Sequence, residues 1–233
     1  ESINYTKEIN CFNADNIKDI FCFYNNNTYS IADKFQSILT VKKYKEEIDL
    51  KKLDSIYNSK SKSSGIKFKT LFEFGLYNNI DYNISLEGLT NEALRRGFSV
   101  NKYNWNNKLE WINDGTSHRV SSLIYHLFCN KQSYLINMEI NEYDLDIKRM
   151  KDVFLSHDIF LVNDKNKNDI CRLLRKSGIL DNHIITLEKD RTLFYIFINK
   201  SSLTSSNLIL KELKKVKDSK VLYLNDFIKN IKH

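Results

Sequence analysis

The 233-residue chain has no proline and only six glycines. A collagen-like, mucin-like or proline-rich linker protein is thereby excluded, and so is a chain built on glycine-rich phosphate loops. Cysteine is scarce: Cys11, Cys22, Cys129 and Cys171 form no C-x-x-C, the spacing that a zinc ribbon or redox pair needs. Free thiols and a cytoplasmic location are the simple expectation. No run of about 18 apolar residues occurs, so no membrane span is expected. The opening residues, Glu1-Ser2-Ile3-Asn4-Tyr5, lack the basic-then-apolar order of a signal peptide, and the missing initiator Met suggests processing or trimming.

The composition is that of a globular protein: 42% apolar, 12% aromatic and 28% charged residues. That is too apolar for wholesale disorder. The length suits one large domain or two small ones. The net charge of +7 is a modest field. Lys, Asn, Ile and Tyr are abundant in the manner of AT-rich coding, so part of the charge reads as drift towards Lys rather than selection for an anionic partner.

The seam Asn58-Ser59-Lys60-Ser61-Lys62-Ser63-Ser64-Gly65 is small, polar and linker-like. It closes a helical N-terminal segment (1–64). Ile17 to Phe23 reads as a short helix. Ile31, Phe35, Ile38 and Leu39, then Ile48, Leu53 and Ile56, fall at helical spacing. The clusters Lys42-Lys43-Tyr44-Lys45 and Lys51-Lys52 accordingly read as solvated faces of helices.

A central α/β core is expected over 65–150. Ile66 to Phe74 suggests a strand and Asn91 to Arg96 a helix stopped by Gly97. Phe98 to Tyr103 and Leu109 to Ile112 suggest strands, His118 to Phe128 a helix, and Tyr134 to Ile140 a strand. A C-terminal module comes next, over 151–233. Strands at Ile159–Val162, Ile184–Leu187, Leu193–Ile198 and Val221–Leu224 alternate with helices at Asp169–Lys176 and Leu208–Val216. The order is the βαββαβ of a split βαβ arrangement.

The chemically informative stretch is Trp111-Ile112-Asn113-Asp114-Gly115-Thr116-Ser117-His118-Arg119-Val120. A strand ends at Asp-Gly, turns through two hydroxyl residues and enters a helix at His-Arg. The first N–H groups of a helix lack intrahelical partners and carry the positive end of its dipole. Gly115 permits the turn. Thr116 and Ser117 supply hydroxyls, and Arg119 a fork of fixed donors suited to phosphate oxygens. Such a corner suits an anion. A turn in which Asp114 caps and His118 packs on the sheet fits the same residues.

Asp114-Gly115-Thr116-Ser117-His118-Arg119 resembles the D-G-x-H-R signature of the ParB/sulfiredoxin-like superfamily, with two residues, Thr116 and Ser117, where the usual pattern has one. The resemblance covers roughly residues 66–145. It implies a mixed-sheet core that binds a nucleotide, with Gly115, Thr116, Ser117 and Arg119 around the phosphates and His118 stabilising the transferring group. Asp114 or Glu73 would position Mg²⁺ or activate the nucleophile. Ser117 stands where a sulfiredoxin-type reactive Cys would, which argues against sulfinic acid repair.

Other candidates are weaker. Arg95-Arg96 could reach a phosphate or nucleic-acid path, though a solvated helix end explains them as well. Trp105 could stack on a base, though core or cross-strand packing of Trp105 and Trp111 is the commoner use. His118, His126, Cys129 and His157 fit no standard metal spacing, so no resident metal site is expected from them. The chain is thus expected to be a cytoplasmic α/β protein that binds a nucleoside triphosphate with Mg²⁺ and transfers or hydrolyses a phosphate. A defence effector, toxin or phage protein is the context suggested by analogy. A nucleic-acid-binding protein or nuclease using the same phosphate site, and a non-catalytic interaction module with a protein partner or as a homodimer, remain open.

Overall fold

The computed structural model describes residues 17–22, 30–57, 87–88, 90–91, 98–112, 117–179, 183–189, 193–202 and 221–229. In chain order the helices are α1 (Ile17–Phe21), α2 (Ser30–Gln36), α3 (Ser117–Cys129), α4 (Ile147–Ser156), α5 (Asp164–Lys176) and α6 (Leu224–Lys229). The strands are β1 (Leu39–Asp49), β2 (Ser55–Tyr57), β3 (Ser99–Tyr103), β4 (Lys108–Ile112), β5 (Leu135–Leu145), β6 (His157–Asn163), β7 (Ile184–Glu188), β8 (Leu193–Asn199) and β9 (Val221–Tyr223). The class is mixed α/β, as the residue patterns predict. The chain divides into two compact units: Val41–Asp144, and Glu1–Thr40 together with Leu145–His233.

The sheet of the first unit has the order β1-β5-β3-β4-β2. β3 is parallel to β5 and antiparallel to β4, and β2 is parallel to β4. Val100 sits beside Trp111 on one side and Ile140 on the other, so these three share a face. Val120, Leu123, Ile124 and Leu127 of α3 recur at helical spacing and pack with them in one buried cluster that also takes in Ile48, Leu50, Leu53, Ile56, Phe98 and Met138. Phe98 stacks on Trp111 at 5.2 Å. Each such side chain contributes about 1.5–3 kcal/mol by leaving water.

The second unit holds the antiparallel sheet β7-β8-β6-β9, with β6 between β8 and β9. This is the strand arrangement of a split βαβ sheet. Its expected second helix, 208–216, lies outside the described residues. α5 covers one face through Ile170, Cys171 and Leu174 against Phe160, Val162, Ile196 and Ile198. The opposite face meets α2 and α4: Phe35 lies 5.3 Å from Tyr195, 5.2 Å from Phe197 and 6.1 Å from Phe154. That explains why β6 reads Ile-Phe-Leu-Val without alternation, since both of its faces are buried. α5 begins at Asp164, earlier than its spacing suggests, because Asn163 caps the Asn166 N–H. It ends at Gly178 (φ +87°) with Gly178 N–H to the Arg175 carbonyl and Ile179 N–H to the Leu174 carbonyl, a Schellman cap.

One expectation is corrected. Among the described residues of the N-terminal segment the last α-helix ends at Gln36; the residues read as a helix through Ile48, Leu53 and Ile56 form β1, a 3-10 turn at Leu50–Lys52, and β2. Those apolar residues are buried as expected, but from strand ends and a turn. Leu50 N–H donates to the Tyr134 carbonyl, and Asp49 accepts from the Lys51 and Tyr134 N–H groups, so pairing to the start of β5 outweighs local helix propensity. Lys42, Lys43 and Lys45 therefore lie on an exposed edge strand, where lysines discourage further pairing. The seam at 58–65 and the strand expected at 66–74 lie outside the described residues. α4 is an element the sequence reading lacks, although Asp146 caps its Arg149 N–H and Met150, Val153 and Phe154 form its buried stripe.

Candidate functional site

β4 ends at Ile112 and α3 starts at Ser117, so the strand-to-helix corner lies where the sequence places it. Asn113, Asp114, Gly115 and Thr116 lie outside the described residues, as do Glu73, Arg95 and Arg96. Of the predicted site, Ser117 opens the helix, and His118 and Arg119 occupy its first turn, both half-buried. Their rotation about the helix axis is set by the anchor residues Val120, Leu123, Ile124 and Leu127, none more than 2% exposed.

α3 is enclosed on more than its sheet-facing side. Val120 to Ile124 are all buried, including Ser121 and Ser122. Ser121 Oγ donates to the His118 carbonyl at 2.9 Å. Ser122, one turn after His118 on the same face, has an Oγ with no hydrogen-bond partner among the described residues. The His118 Nδ1 is likewise shut off from solvent. A buried hydroxyl without a partner is uncommon and asks for an explanation. Ser121 and Ser122 lie off the stripe of Val120, Leu123, Ile124 and Leu127, so their burial shows that α3 is covered on a second side. Nothing in the sequence pattern singles out Ser122, because hydroxyl residues off the apolar stripe ordinarily face solvent.

The other face of the sheet is polar and partly closed. Tyr103, 5% exposed, donates to Glu110 Oε2 at 2.7 Å, and Asn141 Nδ2 donates to Asn101 Oδ1 at 3.4 Å. Burial, reinforced by the Glu110 carboxylate, pushes the Tyr103 hydroxyl far above the usual phenol range. Glu110 neighbours Trp111 along β4 and so belongs to the face away from α3. At the end of β3, Lys102 reaches Glu142 at 3.0 Å and Tyr44 Oη at 3.4 Å. The Lys102 hydrogen bond holds Glu142 below its ordinary value, and the same bond holds Lys102 above its own. Trp105 is half-buried with its ring 5.2 Å from Tyr103, which in turn stacks on Tyr143 at 5.6 Å. Trp111 is a core residue.

No cluster of three or more His, Cys, Asp or Glu side chains suited to a metal occurs among the described residues. No helix there is long and apolar enough to cross a membrane. Comparison with protein-family models, curated proteins and solved structures finds no match for this chain.

Proposed function

We propose that the β4–α3 corner binds the phosphates of a nucleotide and that the protein transfers or hydrolyses a phosphoryl group. The observation that carries this reading is the junction itself. A strand passes through four residues into a 13-residue helix whose first turn holds His118 and Arg119, and a buried stripe fixes that helix on the sheet. The helix start supplies N–H donors and positive potential, and Arg119 a planar donor fork. The Ser122 hydroxyl, one turn further along the helix from His118, is buried with no partner among the described residues.

In this reading Arg119 and the helix N-terminus stabilise charge on the transferring group while His118 binds or protonates a phosphate oxygen. Asp114 or Glu73 would hold Mg²⁺, which neutralises phosphate charge when bound. The resemblance to ParB/sulfiredoxin-like proteins supports nucleotide or phosphoryl chemistry and does not carry over the identity of the nucleotide.

The test is a thermal shift against a panel of nucleoside triphosphates with Mg²⁺, followed by calorimetry on the best ligand. A ligand of the native state raises the melting temperature. Arg119→Ala should then weaken binding at least about tenfold, the loss of one charge-assisted contact. Undiminished affinity in that variant removes the assignment.

A further inference from the structure

We propose a second anion site, in the unit that contains the antiparallel sheet: a groove between α5 and β7 that takes a chain of phosphates, recognised by charge and not by base. This goes beyond the nucleotide reading and does not rest on it.

The groove has a volume of about 470 Å³, within the range of ligand clefts. Among the described residues Lys167, Arg172 and Arg175 line it against one carboxylate, Asp169, and Asn168 and Thr186 add neutral donors. Cys171 and Ile184 complete the lining with apolar surface. Asn168, Arg172 and Arg175 fall on one stripe of α5, and from Lys167 to Arg175 the cations are spread over about 12 Å of helix rise.

Helix electrostatics alone do not account for this stripe. Arg175, in the last turn, complements the negative end of the helix dipole. Lys167 stands near the opposite end, where a cation is opposed by the dipole. It is held there by Asp164 at 3.6 Å and by the face of Phe194, 3.9 Å from its Nζ. Arg172 is tied to Asp169 at 2.8 Å, but that pair is about two-thirds exposed and exchanges readily for a ligand anion.

The chemistry of the lining selects among anions. Among the described residues no aromatic ring lines the groove, and the Phe194 face is already covered by Lys167, so those residues offer no platform on which a base could stack. Two guanidinium forks suit phosphate oxygens. Strand addition by an acidic peptide is disfavoured, because β7 is a short edge of five residues ending in Glu188. The phosphates would come from a single-stranded nucleic-acid backbone or from inorganic polyphosphate.

The experiment uses the full chain with labelled oligo(dT) and oligo(dA) strands, with inorganic polyphosphate and a poly-Glu peptide as competitors. The two strands should bind alike, and polyphosphate should displace them. Arg172→Ala with Arg175→Ala should weaken binding at least about tenfold at low salt and lower the salt slope by about 1.4. Asp169→Asn should strengthen binding, because it removes the opposing charge among the described lining residues and releases Arg172. Arg119→Ala should leave this binding intact, which separates failure here from failure of the nucleotide site. Both arginines are exposed, so the melting temperature of the double variant should match that of the parent. Polyphosphate binding that depends on the arginines, without oligonucleotide binding, keeps the site and assigns its source. The proposal is overturned by absence of binding to both probes, by indifference to the arginine pair, by weaker binding of Asp169→Asn, or by poly-Glu competing as well as polyphosphate.

Discussion

The two sheets bury different things. In the unit that holds the antiparallel sheet, both faces of β6 and β8 are apolar and covered, and Ile159 to Val162 and Tyr195 to Ile198 are all buried. In the unit Val41–Asp144, one face carries the apolar cluster under α3, while the other carries Asn101, Tyr103, Glu110 and Asn141 joined by hydrogen bonds. A doubly apolar sheet derives stability from packing and tolerates little change. A sheet with one polar face gives up some of that stability and keeps groups that can do chemistry or recognition. The corner at Ser117–Arg119 belongs to the second kind of sheet.

The contrast can be broken most forcefully at Phe35, fully buried and in contact with four rings, Phe21, Phe154, Tyr195 and Phe197. Phe35→Ala should cost about 3–5 kcal/mol of stability in urea or guanidinium unfolding. A loss below about 1 kcal/mol would show that α2 does not close that face of the sheet. Asn225 comes next. Its side chain accepts from the Ile159 N–H at 2.9 Å and donates to the Phe154 and His157 carbonyls at 3.2 and 2.9 Å, tying α6 to β6 and the end of α4. Asn225→Ala leaves those groups without their partner and should cost about 2–3 kcal/mol in the same measurement. On the polar sheet, Tyr103→Phe removes the hydroxyl's hydrogen bond to Glu110 and its interaction with Asn101, and keeps the ring stacked on Tyr143. Its cost should be about 1 kcal/mol. A cost as large as that of Asn225→Ala would mean that the polar face is as tightly packed as the apolar one.

The difference between the units also decides what could be read from the chain. β6, β8, β4 and α3 follow from apolar runs and spacing, because their burial is dictated by their own residues. β1 does not. Lys42, Lys43 and Lys45 give it no alternation, and its strand state comes from pairing with β5, about 90 residues later in the chain. The corner is legible because all its parts are contiguous, from Trp111 to Arg119. The groove is not: Lys167, Arg172 and Arg175 read as an ordinary charged helix face until β7 is placed beside them. Ser122 escapes a sequence reading because a hydroxyl off the apolar stripe reads as solvent-facing until its burial is known.

The smallest expected effect is the one that separates the units by pH. Burial, with help from Lys200 and Lys34, holds the His157 imidazole below its ordinary value, and Asp158 opposes this. The folded protein therefore favours neutral His157, whereas the unfolded chain takes up a proton as pH drops through 6.5. The sign follows by linkage: this stability is complete above that value and is lost between it and the lower folded one. In the unit Val41–Asp144 the responsive groups are carboxylates. Burial works to raise Asp49, but hydrogen bonds from Lys51, Ser133 and Tyr134 prevail and hold it low, and Lys102 holds Glu142 low. Their contribution is present above 3.8 and 4.5 respectively and is lost as pH falls through the depressed values. The two losses thus occupy separate windows. His157 is only half-buried, so solvent screening keeps its share small. Unfolding midpoints measured from about pH 7.5 to about pH 5.5 should fall more steeply for the parent than for His157→Gln, because only the parent carries that linked proton. Parallel curves would show that His157 is as free to protonate in the folded chain as in the unfolded one, and would remove the acid-sensitive point from the apolar unit.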